Sequence, residues 1–214
     1  RGLGVLFFVE FWERFSYYGM RAMLIFYMYF AIHQNGLGID QTTAMSIMSV
    51  YGALIYMSSI PGAWIADRIT GTRGATLLGA VLIIIGHICL SLPFALFGLF
   101  SSMFFIIIGS GLMKPNISNI VGRLYPENDR RMDAGFVIFY MSVNMGALLS
   151  PIILQHFVNV KNFHGGFLIA AVGMALGLVW YVLFNRKNLG RVGMTPTNPL
   201  SPAEKKKYTA PIKT

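Results

Sequence analysis

Cysteine and charge are what this sequence has least of. A single cysteine, Cys89, stands among 214 residues in an apolar stretch, so an intrachain disulfide is excluded and the thiol is expected to pack. Charged side chains make up only 12% of the chain against 55% hydrophobic ones. A soluble core of this size does not need that balance, and a membrane protein is the default reading. Acids are scarcer still: eight, against 17 lysines and arginines, for a net charge of +9. That excess suits nucleic acid, but much of it sits in Arg186, Lys187, Arg191, Lys205, Lys206, Lys207 and Lys213, after the last apolar segment. A cytoplasmic tail explains this placement, and no nucleic-acid partner is expected. His33, His87, His156 and His164 show no metal-ligand spacing, so no metal is expected either. No short apolar segment with a small-residue cleavage site follows Arg1, so the start reads as trimmed, not secretory.

What is abundant is apolar length. A helix needs about 20 mostly apolar residues to cross the hydrocarbon core, and six stretches approach or exceed that, near 3–31, 42–66, 74–93, 96–122, 134–158 and 164–185. The breaks between them carry turn chemistry: Asn35 to Gly38, Thr70 to Gly74, Pro93, and Pro126 to Asp129. The expected fold is an all-α bundle of six transmembrane helices over 1–185. A basic, proline-containing linker is expected over 186–214, and Ser201 with Pro202 and Glu204 has the shape of a helix cap. Arg68, Arg73, Arg123, Arg130 and Arg131 fall in the second and fourth loops, whereas the other loops hold only Lys161. The positive-inside rule then places both ends of the chain in the cytoplasm.

Charge inside the apolar stretches is confined to Glu10, Glu13, Arg14, Arg21 and Lys114. Such groups cost roughly 2.5 to 3.5 kcal/mol each on insertion scales and persist where they pair or line a watery cavity. At about 100° per residue, Glu10, Glu13, Arg14, Tyr17 and Arg21 share an arc of roughly 100°, with Tyr18 beside it. Buried ion pairs that orient helices, or snorkelling at a helix end, are the plainer explanation of any one of them. A structural role does not require two carboxylates one turn apart, whereas proton exchange is served by such a pair beside a cation. Lys114 lies between Gly109, Gly111 and Pro115, where backbones approach closely and a helix hydrogen bond is missing. At that depth it wants a carboxylate partner, and the first helix has two. Two acids against three bases leave one positive charge, suited to an anionic ligand group such as a carboxylate. Ser142, Asn144 and Tyr56 offer hydrogen bonds across the same cavity, or serve as helix glue.

Glu10 followed by Phe11-Trp12-Glu13-Arg14-Phe15-Ser16-Tyr17-Tyr18-Gly19 resembles the ExxERFxYY signature of the proton-dependent oligopeptide transporter family. Gly62 to Arg73, with Asp67, Arg68 and Gly71, is similar to the GxxxDRxxGxR loop of the wider major facilitator superfamily. Gly109 to Asn116 and Phe139 to Gly146 fit the peptide-transporter pattern as well. The resemblance implies the N-terminal six-helix bundle of the superfamily fold, in a bacterial cell membrane, moving di- and tripeptides with protons as coupling ion and no cofactor. It implies proton coupling by Glu10, Glu13, Arg14 and Lys114, with Lys114 the partner of Glu10. It assigns Tyr17, Tyr18, Arg21, Tyr56, Lys114 and Asn144 to the peptide, and Asp67, Arg68 and Arg73 to a cytoplasmic gate. Where animal members carry a coupling histidine on the second helix, this chain has Ser49, which leaves proton handling to the glutamates. The family has two six-helix bundles and this chain one, so a second bundle, from the same protein or a second chain, is expected to face the polar side. Other readings are the same fold moving nitrate or another small solute, an intramembrane enzyme using Glu10 and Glu13, and a half-bundle that only binds or scaffolds. No nucleophile elbow or metal motif supports an enzyme.

Overall fold

The computed structural model describes residues 1–126, 128–201 and 204. Among them the chain is all helical: α1 (Gly2–Tyr29), α2 (Gln41–Met57), α3 (Ser59–Ile65), α4 (Gly71–Ser91), α5 (Ala95–Gly122), α6 (Arg131–Asn159) and α7 (Phe163–Leu189). Asp40 caps α2, its carboxylate accepting from the backbone N–H groups of Thr42 and Thr43 at 3.0 and 3.2 Å. Asn35, at φ 61°, and Gly38, at φ 66°, supply the left-handed positions of the turn between α1 and α2. Pro61 lacks the N–H that would bond Met57, and α2 breaks into α3 one turn earlier, at Ser58.

Four helical stretches, 41–91, 95–122, 131–159 and 163–189, are long and apolar enough to cross a membrane. The first of them holds two antiparallel arms. A π-type turn over Ala66–Thr70 leads to Gly71 at φ 73°, where the chain reverses; a Cβ there would sit 2.9 Å from the carbonyls of Gly193 and Met194. The reversal follows from packing on α5: Gly79 meets Gly109 while Gly86 meets Ser102 and Ile106, so α4 runs against α5. Ser58 meets Ile107 and Gly62 meets Leu112, so α2 and α3 run with it. The α1 helix falls outside the apolar set because Glu10, Glu13, Arg14 and Arg21 interrupt it, though at 28 residues it is as long as the others.

Small residues set the spacing. Gly146 of α6 lies against the Phe11 carbonyl and Arg14 Cβ, Gly19 against Leu154, and Gly173 and Gly177 of α7 against Trp12. These contacts hold α1 between α6 and α7, which buries its charged stripe instead of leaving it to lipid. Pro115 leaves the Gly111 carbonyl without its helical donor, and Gly62 packs directly on that carbonyl. Asn116 Nδ2 steadies the spot, donating to Leu112 O at 2.7 Å and to Gly62 O at 3.3 Å.

The segment after α7 packs against the bundle. Residues 190–201 fold back onto the π-type turn and the start of α4: Asn198 N donates to Asp67 O at 3.0 Å, Leu200 N to Arg68 O at 3.3 Å and Arg73 N to Gly193 O at 3.0 Å. Proline-rich composition reports no helical period, but it does not forbid backbone groups from pairing with a neighbouring turn. The cap at Ser201 and Glu204 forms reciprocally, Ser201 N to Glu204 Oε2 at 2.9 Å and Glu204 N to Ser201 Oγ at 3.3 Å. The element it would open lies outside the described residues.

Candidate functional site

Glu10, Glu13 and Arg14 share one face of α1 because they are spaced three, one and four residues apart. Packing seals them: Glu10 is 5%, Glu13 0% and Arg14 6% exposed. Arg14 Nε lies 2.9 Å from Glu10 Oε1 and also contacts Glu13 Oε2. One guanidinium thus serves two carboxylates, and Glu10 Oε2 and Glu13 Oε1 remain buried without a hydrogen-bond partner among the described residues.

Lys114 does not pair with Glu10, contrary to the expectation from sequence. Its Nζ sits over the Tyr17 ring at 4.4 Å and 5.9 Å from the ring centroid of Tyr56, with no carboxylate within 4 Å among the described residues. The physical reason is proximity: Arg14 stands on the same helix, one turn from Glu10 and next to Glu13, and its planar fork reaches both before a side chain from α5 can. Lys114 is left as a cation held by aromatic faces.

Tyr17 links the two groups. Arg21 Nη1 donates to its hydroxyl at 3.1 Å, and Tyr18 meets its ring edge-on at 5.2 Å. Arg14 Cζ lies 5.7 and 6.0 Å from the rings of Tyr17 and Tyr18. Tyr18, Arg21 and Ser49 line an open cleft of about 610 Å3 whose other walls include Met45, Met48 and Pro151. That volume suits a small ligand. Gly52 lies beside Arg21, whose Nη2 would be 3.6 Å from a Cβ there, an ordinary van der Waals contact.

Tyr56 is 74% exposed, so only its distant approach to Lys114 ties it to the cluster. Asn144 is exposed too; its amide donates to Tyr140 O at 3.1 Å, and no bond joins it to the α1 stripe among the described residues. Ser142 is buried and bonds the carbonyl of Phe139 on its own helix at 2.6 Å. Asp67, Arg68 and Arg73 gather elsewhere, on the folded-back tail: Thr197 Oγ1 donates to Asp67 Oδ1 at 3.3 Å, Arg68 pairs with Glu204, and Arg73 Nη2 donates to Gly190 O at 3.0 Å.

Sequence reasoning missed Tyr51. It is 2% exposed and packs in the same apolar cluster as Tyr17, yet its hydroxyl has no partner among the described residues. Nothing in the sequence set it apart, because burial of its hydroxyl is a tertiary fact. No group of three or more histidine, cysteine or acidic side chains converges among the described residues.

A model of the POT family matches residues 74–191. An uncharacterized transporter, YclF, of Bacillus subtilis is 52% identical over 94% of this chain and 41% of its own length. A di-/tripeptide transporter of Lactococcus lactis subsp. cremoris is 46% identical over 97% of this chain and 42% of its own. The crystal structure of a POT family transporter in complex with 5-aminolevulinic acid superposes with a TM-score of 0.96 at 92% identity, over 97% of this chain and 43% of that one. The chain thus spans about two-fifths of the length of these relatives and has the fold of the corresponding part. With a family model over more than half its residues and the charged α1 motif folded into a buried cluster, this membrane protein belongs to the POT family.

Proposed function

We propose that this chain supplies the N-terminal half of a proton-coupled symporter of di- and tripeptides. It would form six membrane crossings of the major facilitator fold, α2 with α3 counting as one, with both ends cytoplasmic in a bacterial cell membrane. A second bundle would face the open cleft and complete the site. The name of the Lactococcus relative supports the substrate class, and the two-fifths coverage supports a second bundle.

The observation that carries the mechanism is the buried trio, in which one arginine serves two glutamates while Lys114 has no carboxylate within 4 Å among the described residues. The trio holds one net negative charge, and Lys114 and Arg21 add two positive ones. A proton arriving from outside on either glutamate cancels one negative charge without stripping Arg14 of a partner. The neighbourhood of Lys114 and Arg21 then becomes more positive, and a peptide carboxylate is drawn to them through Tyr17 and Tyr18. Loss of the proton inside restores the second carboxylate and weakens that hold. Tyr56 and Asn144, exposed on the bundle, would meet the peptide only once the second bundle is in place. Asp67, Arg68 and Arg73 would gate the cytoplasmic side.

A second solute is favoured by one finding: the relative at 92% identity was solved with 5-aminolevulinic acid, which carries a carboxylate and an amine as a dipeptide does. The site would then select by terminal charges. The test is uptake by the intact transporter reconstituted in vesicles under an inward proton gradient. Lys114→Ala is expected to abolish gradient-driven dipeptide accumulation, and undiminished accumulation would refute the scheme. Competition by 5-aminolevulinic acid, against nitrate as control, separates charge-spaced amino carboxylates from simple anions.

A further inference from the structure

At the basic end of the bundle, α4 and α7 leave a cleft of about 560 Å3. Arg73 enters it from the first turn of α4, and Tyr181, Asn185 and Arg186 from the last two turns of α7. Arg73 is 8% and Tyr181 2% exposed, yet Arg73 Nε and the Tyr181 hydroxyl have no hydrogen-bond partner among the described residues. The tail explains how the guanidinium is held. Its Nη2 donates to Gly190 O and its backbone N–H to Gly193 O, both at 3.0 Å, which fixes the group and leaves Nε–H unused.

A buried donor left unmade costs about 1–3 kcal/mol, so two of them in one cleft call for an acceptor. No carboxylate lines the cleft, and exposed Arg186 adds a second positive charge at its edge. An anion with several acceptor oxygens would serve both donors and match the positive charge of Arg73 and Arg186. On the same cleft, Leu77 and Val182 are 39% and 52% exposed, apolar surface continuous with the cationic part. Basic pockets between membrane helices with such apolar flanks suit a lipid head group.

We propose that the cleft of Arg73, Tyr181 and Arg186 binds a phosphate group, supplied by an anionic phospholipid or by a small soluble phosphate. The cleft is distinct from the α1 stripe but shares Arg73 with the proposed cytoplasmic gate, so the test varies Arg186 and Tyr181, which the transport scheme does not use.

The test uses the intact transporter purified in detergent. Native mass spectrometry follows retention of phosphatidylglycerol against phosphatidylcholine, and thermal unfolding follows the response to inorganic phosphate against chloride. Selective retention of phosphatidylglycerol with no response to phosphate assigns the lipid source, and the reverse assigns a soluble one. In either case Arg186→Glu and Tyr181→Phe are each expected to weaken binding about tenfold, the value of one charge-assisted hydrogen bond. Arg186 is exposed, so its variant keeps the fold and decides the matter even where Tyr181→Phe does not express. Binding of neither probe, or unchanged binding in Arg186→Glu, overturns the proposal.

Discussion

Removing Arg14 should harm the bundle far more than removing Glu10, and removing both should harm it less than removing Arg14 alone. The reason is the count of charges. Arg14→Gln leaves Glu10 and Glu13, 5% and 0% exposed, as two buried carboxylates with no ion-pair partner among the described residues. Breaking a buried pair from one side costs about 3–5 kcal/mol, because the other charge is stranded. Glu10→Gln instead leaves one carboxylate facing one guanidinium. The lost charge-assisted bond is then offset by removal of the surplus negative charge, and the net cost should stay near 1 kcal/mol. At about 2–4 °C per kcal/mol for a unit of 150–250 residues, Arg14→Gln should lower the melting temperature by roughly 6–20 °C and Glu10→Gln by less than about 4 °C. The double variant strands only Glu13 and should recover part of the loss, a coupling of about 0.5–3 kcal/mol. Thermal unfolding of the intact transporter in detergent, with all three variants side by side, measures this. Equal losses for the two single variants, or a double variant less stable than Arg14→Gln, would refute the shared-cation reasoning.

Gly62→Ala should cost about 1–3 kcal/mol, because its methyl would collide with the Gly111 carbonyl that Pro115 leaves bare and α3 must move off α5; loss of yield or of melting temperature reads it, and an unchanged protein would contradict the close approach. Asp40→Ala removes an acceptor for two backbone N–H groups and should destabilise α2 by about 1 kcal/mol, seen as faster hydrogen exchange over 42–46. The folded-back tail should loosen in acid. Glu204 is held below the usual carboxylate range by hydrogen bonds from Ser201 and by Arg68, so its contribution is present at neutral pH and is lost as pH falls through the lowered folded value. Protection over 193–200, taken relative to the intrinsic exchange rate at each pH, should therefore fall on acidification in the parent and be low at every pH in Glu204→Gln; protection indifferent to pH in the parent would count against this hold on the tail.

How far the sequence spoke depended on whether the cause was local. The helices were legible because apolar length is written residue by residue, and apart from the break at Ser58 inside the stretch expected at 42–66 the observed bounds stay within about four residues of those expected. The largest difference is at the end of α7, which runs on through Arg186 to Leu189. A helix is not obliged to stop where the hydrocarbon does, and Arg186 and Lys187 stand in its last turn, where cations suit the exposed carbonyls. The charged stripe of α1 was legible for the same reason, since its period is a property of one helix. The partner of Glu10 was not. Whether Arg14 or Lys114 takes that carboxylate depends on where α5 places its lysine, and the ring of Tyr17 beneath the ammonium is a tertiary fact. Tyr56 and Asn144 show the same limit: a polar residue in an apolar helix does not tell which of lipid, cavity or second bundle it faces.

The basic turns deserve a different reading from the one their charge alone suggests. Arg68, Arg73 and Arg123 were counted as signals of orientation, which would need only their sign. In the fold each donates to the tail: Arg68 Nη1 to Asn198 O at 3.3 Å, Arg73 Nη2 to Gly190 O at 3.0 Å, and Arg123 Nη2 to Thr197 Oγ1 at 2.6 Å. Three like charges converging on one segment would repel if that segment were equally basic. The stretch they grip, 190–201, carries Arg191 as its single charge and otherwise presents carbonyls and hydroxyls. Uncharged acceptors, with the Glu204 carboxylate on Arg68, let the arginines gather at one end of the bundle, and the gathered arginines in turn hold the tail against the turn where α3 becomes α4. Arg123 donates to Thr197, whose hydroxyl in turn reaches Asp67, so the turn after α5 is tied to the turn before α4 through a single threonine. Any rearrangement that parts those two turns must break this chain of bonds first. The tail is thereby coupled to the relative motion of α3 and α5, the pair that the contact of Gly62 with Gly111 holds closest.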